Sequence, residues 1–389
     1  MLTTLAVENY RSLRRLVIPL RRLTVITGAN GSGKSNAYRA LRLLAECARN
    51  GAVAALAREG GLASTLWAGP PLGRGSAGAR RAPVGLRLGF AGTDVGYAVD
   101  LGLPVSRQTA FDLDPEIKRE CVWAGPMLRP ATLLADRRNG AVRIRDASGG
   151  WTDAGYGLPA VDSMLSELAD PLRAPEVMAL RERIRSWRFY DHFRTDAGAP
   201  ARTAWVGTFT PVLGHDGADL AAALQTVREA GDPLLLDEAV EAAFPGSTLE
   251  VVAQGGRFDL AFHQRGLLRP LSVAELSDGT LRYLLWIAAL LSPRPPELLV
   301  LNEPETSLHP ELLPALARLV ADASGRTQVL VVSHSAALVE AVVTGVSAGE
   351  HCQVLELVKE AGQTLVAGQE RFDQPPWQSR VLVDQAERV

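Results

Sequence analysis

The sequence has little of what would place a chain in a membrane, outside the cell or around a structural metal. Its three cysteines, Cys47, Cys121 and Cys352, are odd in number and far apart, which argues for a reducing compartment and against a disulfide framework. The six histidines show no pairing at zinc-ligand spacing, which argues against a structural metal. The opening MLTTLAVENYRSLRR has no apolar signal core. The longest apolar run, Tyr283 to Leu291, is far too short to cross a bilayer. Internal repeats and coiled-coil heptads are both lacking. So is a global basic field, since the net charge is −2 and the isoelectric point is near 6.3; that weakens a nucleic-acid reading without removing a local patch. The densest basic cluster, Arg11, Arg14, Arg15, Arg21 and Arg22, reads first as a solvated face. What remains is 389 residues, 47% hydrophobic and 22% charged, the composition of a soluble globular protein with about two to three domains' worth of chain. The expected location is the cytoplasm, with no membrane partner.

Short strands are expected at Thr4 to Val7 and Leu16 to Leu20, followed by a buried strand at Leu23 to Thr27 that ends at Gly28. From Lys34 the residues Ala37, Ala40, Leu41, Leu44, Ala45 and Ala48 share one helix face, and Asn50-Gly51 is a suitable stop. Residues 68–83 are rich in Gly, Pro and Arg and read as a loop, followed by strand-like pieces at Val84 to Phe90 and Tyr97 to Leu101. Residues 104–265 look less regular, with helices expected at Asp162 to Leu168, Ala174 to Trp187 and Asp219 to Ala230. Regularity then returns: a helix from Thr280 to Leu291, a buried strand Leu298 to Leu301, a helix Pro310 to Ala323, a buried strand Gln328 to Val332 and a helix from Ala336. Such alternation predicts an α/β fold with a mostly parallel sheet. The expected division is 1–103 and 266–350 as two parts of one head, 104–265 as an inserted lid or arm, and 351–389 as a hairpin and tail.

Chemistry concentrates first in Gly28-Ala29-Asn30-Gly31-Ser32-Gly33-Lys34-Ser35, followed by Asn36. It fits G-x-x-x-x-G-K-[ST] and lies between an expected strand and an expected helix. Glycines at Gly28, Gly31 and Gly33 permit a tight turn whose N–H groups face phosphates. Lys34 supplies a cation to the β- and γ-phosphates, Ser35 a hydroxyl to Mg2+, and the helix N-terminus its partial positive charge. ATP with Mg2+ is therefore the expected ligand.

Three later segments add to this site. ELLVLNEPETSLHP delivers Asn302 and Glu303 at the carboxyl end of a buried strand, where ligands bind in open α/β sheets; a carboxylate there can orient an attacking water. VLVVSHS places His334 at the end of the next strand, as a contact for the γ-phosphate. In ELSDGTLRYLLWIAALLSP, Ser277, Asp278 and Gly279 open a helix, so the Ser277 hydroxyl and the helix N–H groups face an anion.

The order of these motifs resembles the ABC-type ATPases, and within them the RecF and SMC-like heads and the AAA-labelled predicted ATPases related to the OLD family. The resemblance lies in VENYRSLRRLVIPLRRLTVITGANGSGKSN at one end and LSDGT, LNEPETSLHP and His334 at the other, residues 1–50 and 270–340. FYDHFRTD and the AFPG segment add a likeness to stand-alone RecF-like ATPases of bacteria. The resemblance implies an ABC/SMC-head-like P-loop NTPase, a mixed sheet flanked by helices with an inserted lid. It implies Gly28 to Ser35 as the Walker A loop, Glu303 as the catalytic glutamate, Ser277 and Gly279 as the signature, Ser307 to His309 as the D-loop and His334 as the switch histidine. Two such heads sandwich two ATPs, so Ser277 would reach the γ-phosphate held by the other copy of an ATP-dependent homodimer. Two positions depart from the family. Asn302 stands where an Asp is usual, which removes charge from the magnesium site, and Asp278 places an acid beside an expected anion. The glutamine that senses magnesium has no clear counterpart, Gln108 being a weak match.

The resemblance leaves several functions open. One is ATP hydrolysis coupled to DNA, in repair, recombination or genome maintenance. Another is a bacterial defence ATPase that acts through a separate effector protein. About 45 residues follow Val343, too few for a fused Toprim-type nuclease, so any nuclease is expected as a separate chain. A third is a nucleotide switch with slow or no hydrolysis, given Asn302. A transporter subunit fits least well.

Overall fold

The computed structural model describes residues 1–69, 85–104, 110–146, 148–155, 157–345, 352–370 and 372–377. The chain forms two compact units, each assembled from distant segments. The first comprises Met1–Arg21, Gly28–Trp187 and Leu355–Val389, the second Arg22–Thr27 and Arg188–Val354.

An eight-stranded antiparallel sheet dominates the first unit. Its order is Leu13–Pro19, Leu2–Tyr10, Leu86–Gly92, Val95–Gly102, Glu116–Ala124, Leu133–Arg138, Ala141–Arg145 and Trp151–Asp153. Val95–Gly102 is buried at every position, so both faces of the sheet are covered there. The helix Lys34–Asn50 buries the expected alanine and leucine stripe, widened by Tyr38, Leu43 and Cys47. At its far end Arg49 Nη2 donates to the carbonyls of Ile184, Arg185 and Trp187. These belong to the last turn and C-cap of the helix Pro175–Ser186, where a cation satisfies orphan carbonyls. An antiparallel hairpin, Cys352–Glu360 with Gln363–Val366, pairs Leu357 with Val366.

Within this sheet lies a polar network without access to water. Glu120 and Arg137 face each other across neighbouring strands, both fully buried, 3.4 Å apart. Glu120 also accepts from Tyr97 OH at 2.7 Å, from the Ser163 hydroxyl, and from Met164 N at 2.8 Å. That joins the sheet to the short helix Met164–Glu167. Beside it, Arg119 Nε donates to Asp136 Oδ1 at 2.9 Å, again with both groups buried.

The second unit holds a parallel sheet in the order Arg188–Tyr190, Leu298–Asn302, Gln328–Val332 and Leu23–Thr27. The last three strands are near-continuous apolar runs, as strands buried on both faces must be. Helix Asp278–Leu290 is buried from Leu281 to Leu290, so it lies inside the core rather than on it. Its Trp286 ring stands edge-on to Phe193 at 4.9 Å and to Tyr190 at 6.3 Å. The helices Leu220–Ala230, Pro233–Ala243, Leu313–Ser324 and Ala336–Gly345 contribute to the same core. Thr248–Gln254, Arg257–His263, Trp205–Val206 and Leu271–Ser272 form a small antiparallel sheet.

The expected buried strands and the main helices are present, several longer than anticipated. The stretch 104–265 is far more regular than its sequence suggests. It supplies four strands of the large sheet, the edge strand Arg188–Tyr190 and most of the small sheet. The physical reason is visible in Glu116–Ala124: adjacent Arg119 and Glu120 break the apolar alternation, yet both are buried against partners on the next strand. The boundary between the units at Arg188 falls within that stretch. The loop expected over 68–83 lies mostly outside the described residues, as does Gln108.

Replacing Glu120 with alanine strands the Arg137 guanidinium in the sheet. The expected loss of stability is about 3–5 kcal/mol, the cost of breaking a buried pair by removing one partner. Urea unfolding followed by circular dichroism measures it; a loss below about 1 kcal/mol would mean the network is solvated or dispensable.

Candidate nucleotide site

In the first unit the glycine-rich turn follows directly on Leu23–Thr27. Gly28, Gly31 and Gly33 have φ of 142°, 76° and 109°, a region that costs other residues strain. Space adds a second requirement at two of them. A Cβ on Gly28 would fall on the Leu357 carbonyl, and one on Gly33 on the Thr364 side chain. Around Gly31 there is open space. Ala29, Asn30 and Gly31 form the exposed crest, whereas Ser32 and Lys34 are buried. Lys34 Nζ donates to Gly28 O at 2.6 Å and Ala29 O at 3.0 Å. Gly33 caps the helix in a left-handed conformation with no side-chain acceptor, so no capping side chain competes with an anion for the first N–H groups of the helix. Ser35, one residue into the helix, is exposed.

Three polar side chains brace this turn from behind. Thr364, fully buried, donates to Ser32 O at 2.8 Å. It also lies 2.8 Å from Ser12 Oγ, which accepts from Asn36 Nδ2 at 2.8 Å. The turn is thus tied to the first hairpin and to the C-terminal hairpin through one chain of hydrogen bonds.

In the second unit the strands Leu298–Asn302 and Gln328–Val332 run in parallel with Asn302 opposite Val332. Glu303 N donates to Val332 O at 2.7 Å. That bond holds Glu303 at φ 50°, a strained conformation for a side-chain-bearing residue. The Glu303 side chain is 40% exposed. Glu305, two residues on, is buried instead. Its Oε1 accepts from Ser333 Oγ at 2.6 Å, His334 N at 3.1 Å and Ser335 N at 3.2 Å. His334 Nδ1 lies 3.4 Å from Glu305 Oε1 and 3.7 Å from Glu303 Oε1. One buried carboxylate therefore shapes the loop that carries the histidine and sets it beside the exposed carboxylate. Asn302 Nδ2 donates to Asp191 Oδ1 at 3.3 Å. Asn302 Oδ1 is buried without a hydrogen-bond partner among the described residues, an acceptor suited to a magnesium-bound water.

Ser277 caps the helix Asp278–Leu290, accepting from Thr280 N at 3.2 Å, and is exposed. The acid that follows does not act alone: Asp278 Oδ1 is 2.7 Å from Arg202 Nη2. Arg202 also donates to the carbonyls of Ala274 and Leu276. The expected clash of Asp278 with an anion is thereby relieved by a fixed cation. A Cβ on Gly279 would meet only Ser307 O at 3.5 Å, an ordinary contact, so the fold itself does not demand glycine there. Buried Arg282 donates to Thr306 O at 2.6 Å, Phe193 O at 3.1 Å and Thr195 Oγ1 at 3.2 Å. It joins the start of this helix to the SLHP segment and to the chain after Asp191. Ser307 has φ 62°, and His309 is exposed and caps the next turn.

The second unit thus gathers Asn302, Glu303 and His334, and separately sets Ser277 and Gly279 near Ser307. The residues Gly28 to Asn36 belong to the first unit. Sequence reasoning missed Ser12 and Thr364, Arg202 and Arg282, Glu305, and Asp191. Only Asp191 had a signal, a carboxylate directly after the apolar pair Phe189-Tyr190.

No curated protein matches the chain in sequence. Among solved structures it is similar in fold to an SMC head bound to the C-winged helix domain of ScpA, with 12% identity over 94% of this chain and 97% of that one, at a TM-score of 0.51. An SMC head domain from Thermotoga maritima aligns with 15% identity over 95% and 99% of the two chains, at a TM-score of 0.43. An Smc head with an extended coiled coil, bound to the C-terminal domain of ScpA and derived from Pyrococcus furiosus, aligns with 13% identity over 94% and 95%, at 0.47. The first likeness speaks for the fold alone, and the other two add no weight to it. Residues 23–340 match the family described as "AAA domain, putative AbiEii toxin, Type IV TA system". With most of its length in that match and an SMC-head-like P-loop NTPase fold, the chain belongs to this AAA-domain family.

Proposed function

We propose that the chain is an ATPase that binds ATP with magnesium at Gly28 to Asn36 and hydrolyses it with Glu303. The observation that carries this reading is the glycine turn itself. Three left-handed glycines and an uncapped helix start present N–H groups to an anion, with Lys34 beside them. Ser35 and Asn302 are the residues that would hold magnesium. The ion supplies neutralisation of charge on the β- and γ-phosphates. Glu303, exposed and fixed by its backbone bond to Val332, orients the attacking water. His334, positioned by Glu305, contacts the γ-phosphate. Ser277 and Gly279 complete the site of a second copy, so that ATP joins a homodimer. The Arg202 ion pair with Asp278 supports this role, because it removes a charge that would repel the partner's phosphates.

The process served is read as DNA repair, recombination or genome maintenance, on the resemblance to RecF and SMC heads. A second reading is favoured by the family description, which names a toxin and type IV toxin–antitoxin systems. In it the chain is a nucleotide-dependent defence switch that acts through a separate effector, with slow or no hydrolysis.

Glu303→Gln is expected to reduce phosphate release about 100-fold or more, while ATP still binds and still drives dimerisation in light scattering. Lys34→Ala should lose ATP binding itself. A wild-type protein that binds ATP but releases no phosphate above background removes the hydrolytic reading and leaves the switch. Thr364→Val takes two hydrogen bonds from behind the turn, those to Ser32 O and Ser12 Oγ, and should weaken ATP binding about five- to tenfold, with unchanged phosphate release at saturation. On the DNA reading, DNA binding and DNA-stimulated turnover fall steeply as salt rises. Absence of DNA binding at low salt eliminates that reading in favour of the effector switch.

A further inference from the structure

The strand Leu298–Asn302 ends in a neutral amide where a divalent cation would gain more from a charge. The adjacent strand supplies one. Tyr190 is in parallel register with Leu301, so the next residues along each strand, Asp191 and Asn302, emerge side by side at the carboxyl edge of the sheet. Asn302 Nδ2 donates to Asp191 Oδ1 at 3.3 Å. An ionised carboxylate only accepts, so the amide nitrogen must face Asp191 and the amide oxygen must face away. That oxygen is the buried acceptor without a partner among the described residues.

We propose that Asp191 and Asn302 together form the magnesium-holding group of this chain, with the carboxylate function divided between two strands. Asp191 provides the negative charge and fixes the amide, and Asn302 Oδ1 would serve as an acceptor toward the hydrated ion. Asp191 is a positioning residue, acting through Asn302. The proposal rests on the reading that ATP binds with magnesium at Gly28 to Asn36.

The test uses the full chain and a non-hydrolysable fluorescent ATP analogue, titrated with magnesium chloride and, separately, measured in EDTA. Asp191→Asn should shift the magnesium midpoint upward about 10- to 100-fold, the usual effect of losing a group behind a metal ligand, with analogue binding in EDTA unchanged. Adding Asn302→Asp to Asp191→Asn returns a single carboxylate to the pair and should bring the midpoint back toward wild type. Manganese binding to the analogue complex, read by electron paramagnetic resonance, should follow the same order. A midpoint that moves by less than about twofold in Asp191→Asn, with normal circular dichroism, overturns the proposal. So does a double variant that stays as weak as the single one, since that pattern marks a structural role only. If Lys34→Ala binds the analogue as well as wild type, the underlying nucleotide reading falls and takes the proposal with it; if Lys34→Ala fails to bind while Asp191→Asn titrates normally, only the divided carboxylate falls.

Discussion

Parallel pairing fixes which residues of the second unit can act together. Tyr190 lies opposite Leu301, Asn302 opposite Val332, and Val332 opposite Ile26. In a parallel ladder all strands end at the same edge, and side chains just beyond the last pair are brought together whatever their distance in sequence. Asp191, Asn302, Glu303, Ser333 and His334 meet for that reason. A slip of one residue in any strand would turn its polar end toward a helix and an apolar residue toward the site. The apolar interior therefore does more than stabilise: near-continuous Leu and Val in Leu298–Asn302 and Gln328–Val332 leave no alternative register that keeps the polar ends wet.

Charge is then handled by pairing rather than by exposure. Asp278 sits at the exposed start of a helix, but Arg202 reaches it from a separate segment. Glu305 is buried, yet one of its oxygens takes three donors from Ser333 to Ser335. The His334 N–H gains an acceptor there, the Ser335 N–H shares it with Ser333 Oγ, and the buried carboxylate gains donors. The other oxygen, Oε2, is buried without a partner among the described residues. The same logic holds Glu120 and Arg137 in the large sheet. The two carboxylates near His334 thus divide their tasks by environment: Glu305 shapes the loop from within, while Glu303 remains accessible to a water.

The parts of the site that are read by backbone conformation were legible in the sequence. Glycines at Gly28, Gly31 and Gly33, and a Ser before the helix at Asp278, are residue types that few other geometries need. The apolar strands were legible because burial on both faces leaves no alternation to decipher. What stayed hidden was every interaction made by side chains from remote segments. Nothing in the local sequence of Thr364 marks it as the brace of a turn more than three hundred residues earlier. Arg202 and Asp278 are similarly remote. In Glu116–Ala124 charge itself was the obstacle, because Arg119 and Glu120 read as surface until their partners on Leu133–Arg138 are known.

Asn302 reads differently once its neighbour is known. Taken alone, an amide in place of an acid suggests weak magnesium binding and hence a switch rather than an engine. The hydrogen bond to Asp191 restores a negative charge within one side chain's reach and orients the amide so that only its oxygen faces outward. A site that had abandoned the cation would have no reason to hold the amide in that orientation or to leave its acceptor buried and without a partner among the described residues, which is costly unless a ligand or water fills it. On the proposed function, the amide therefore argues for a cation site kept by two residues rather than lost. Glu303 stands exposed and strained beside it, as the proposed hydrolysis requires.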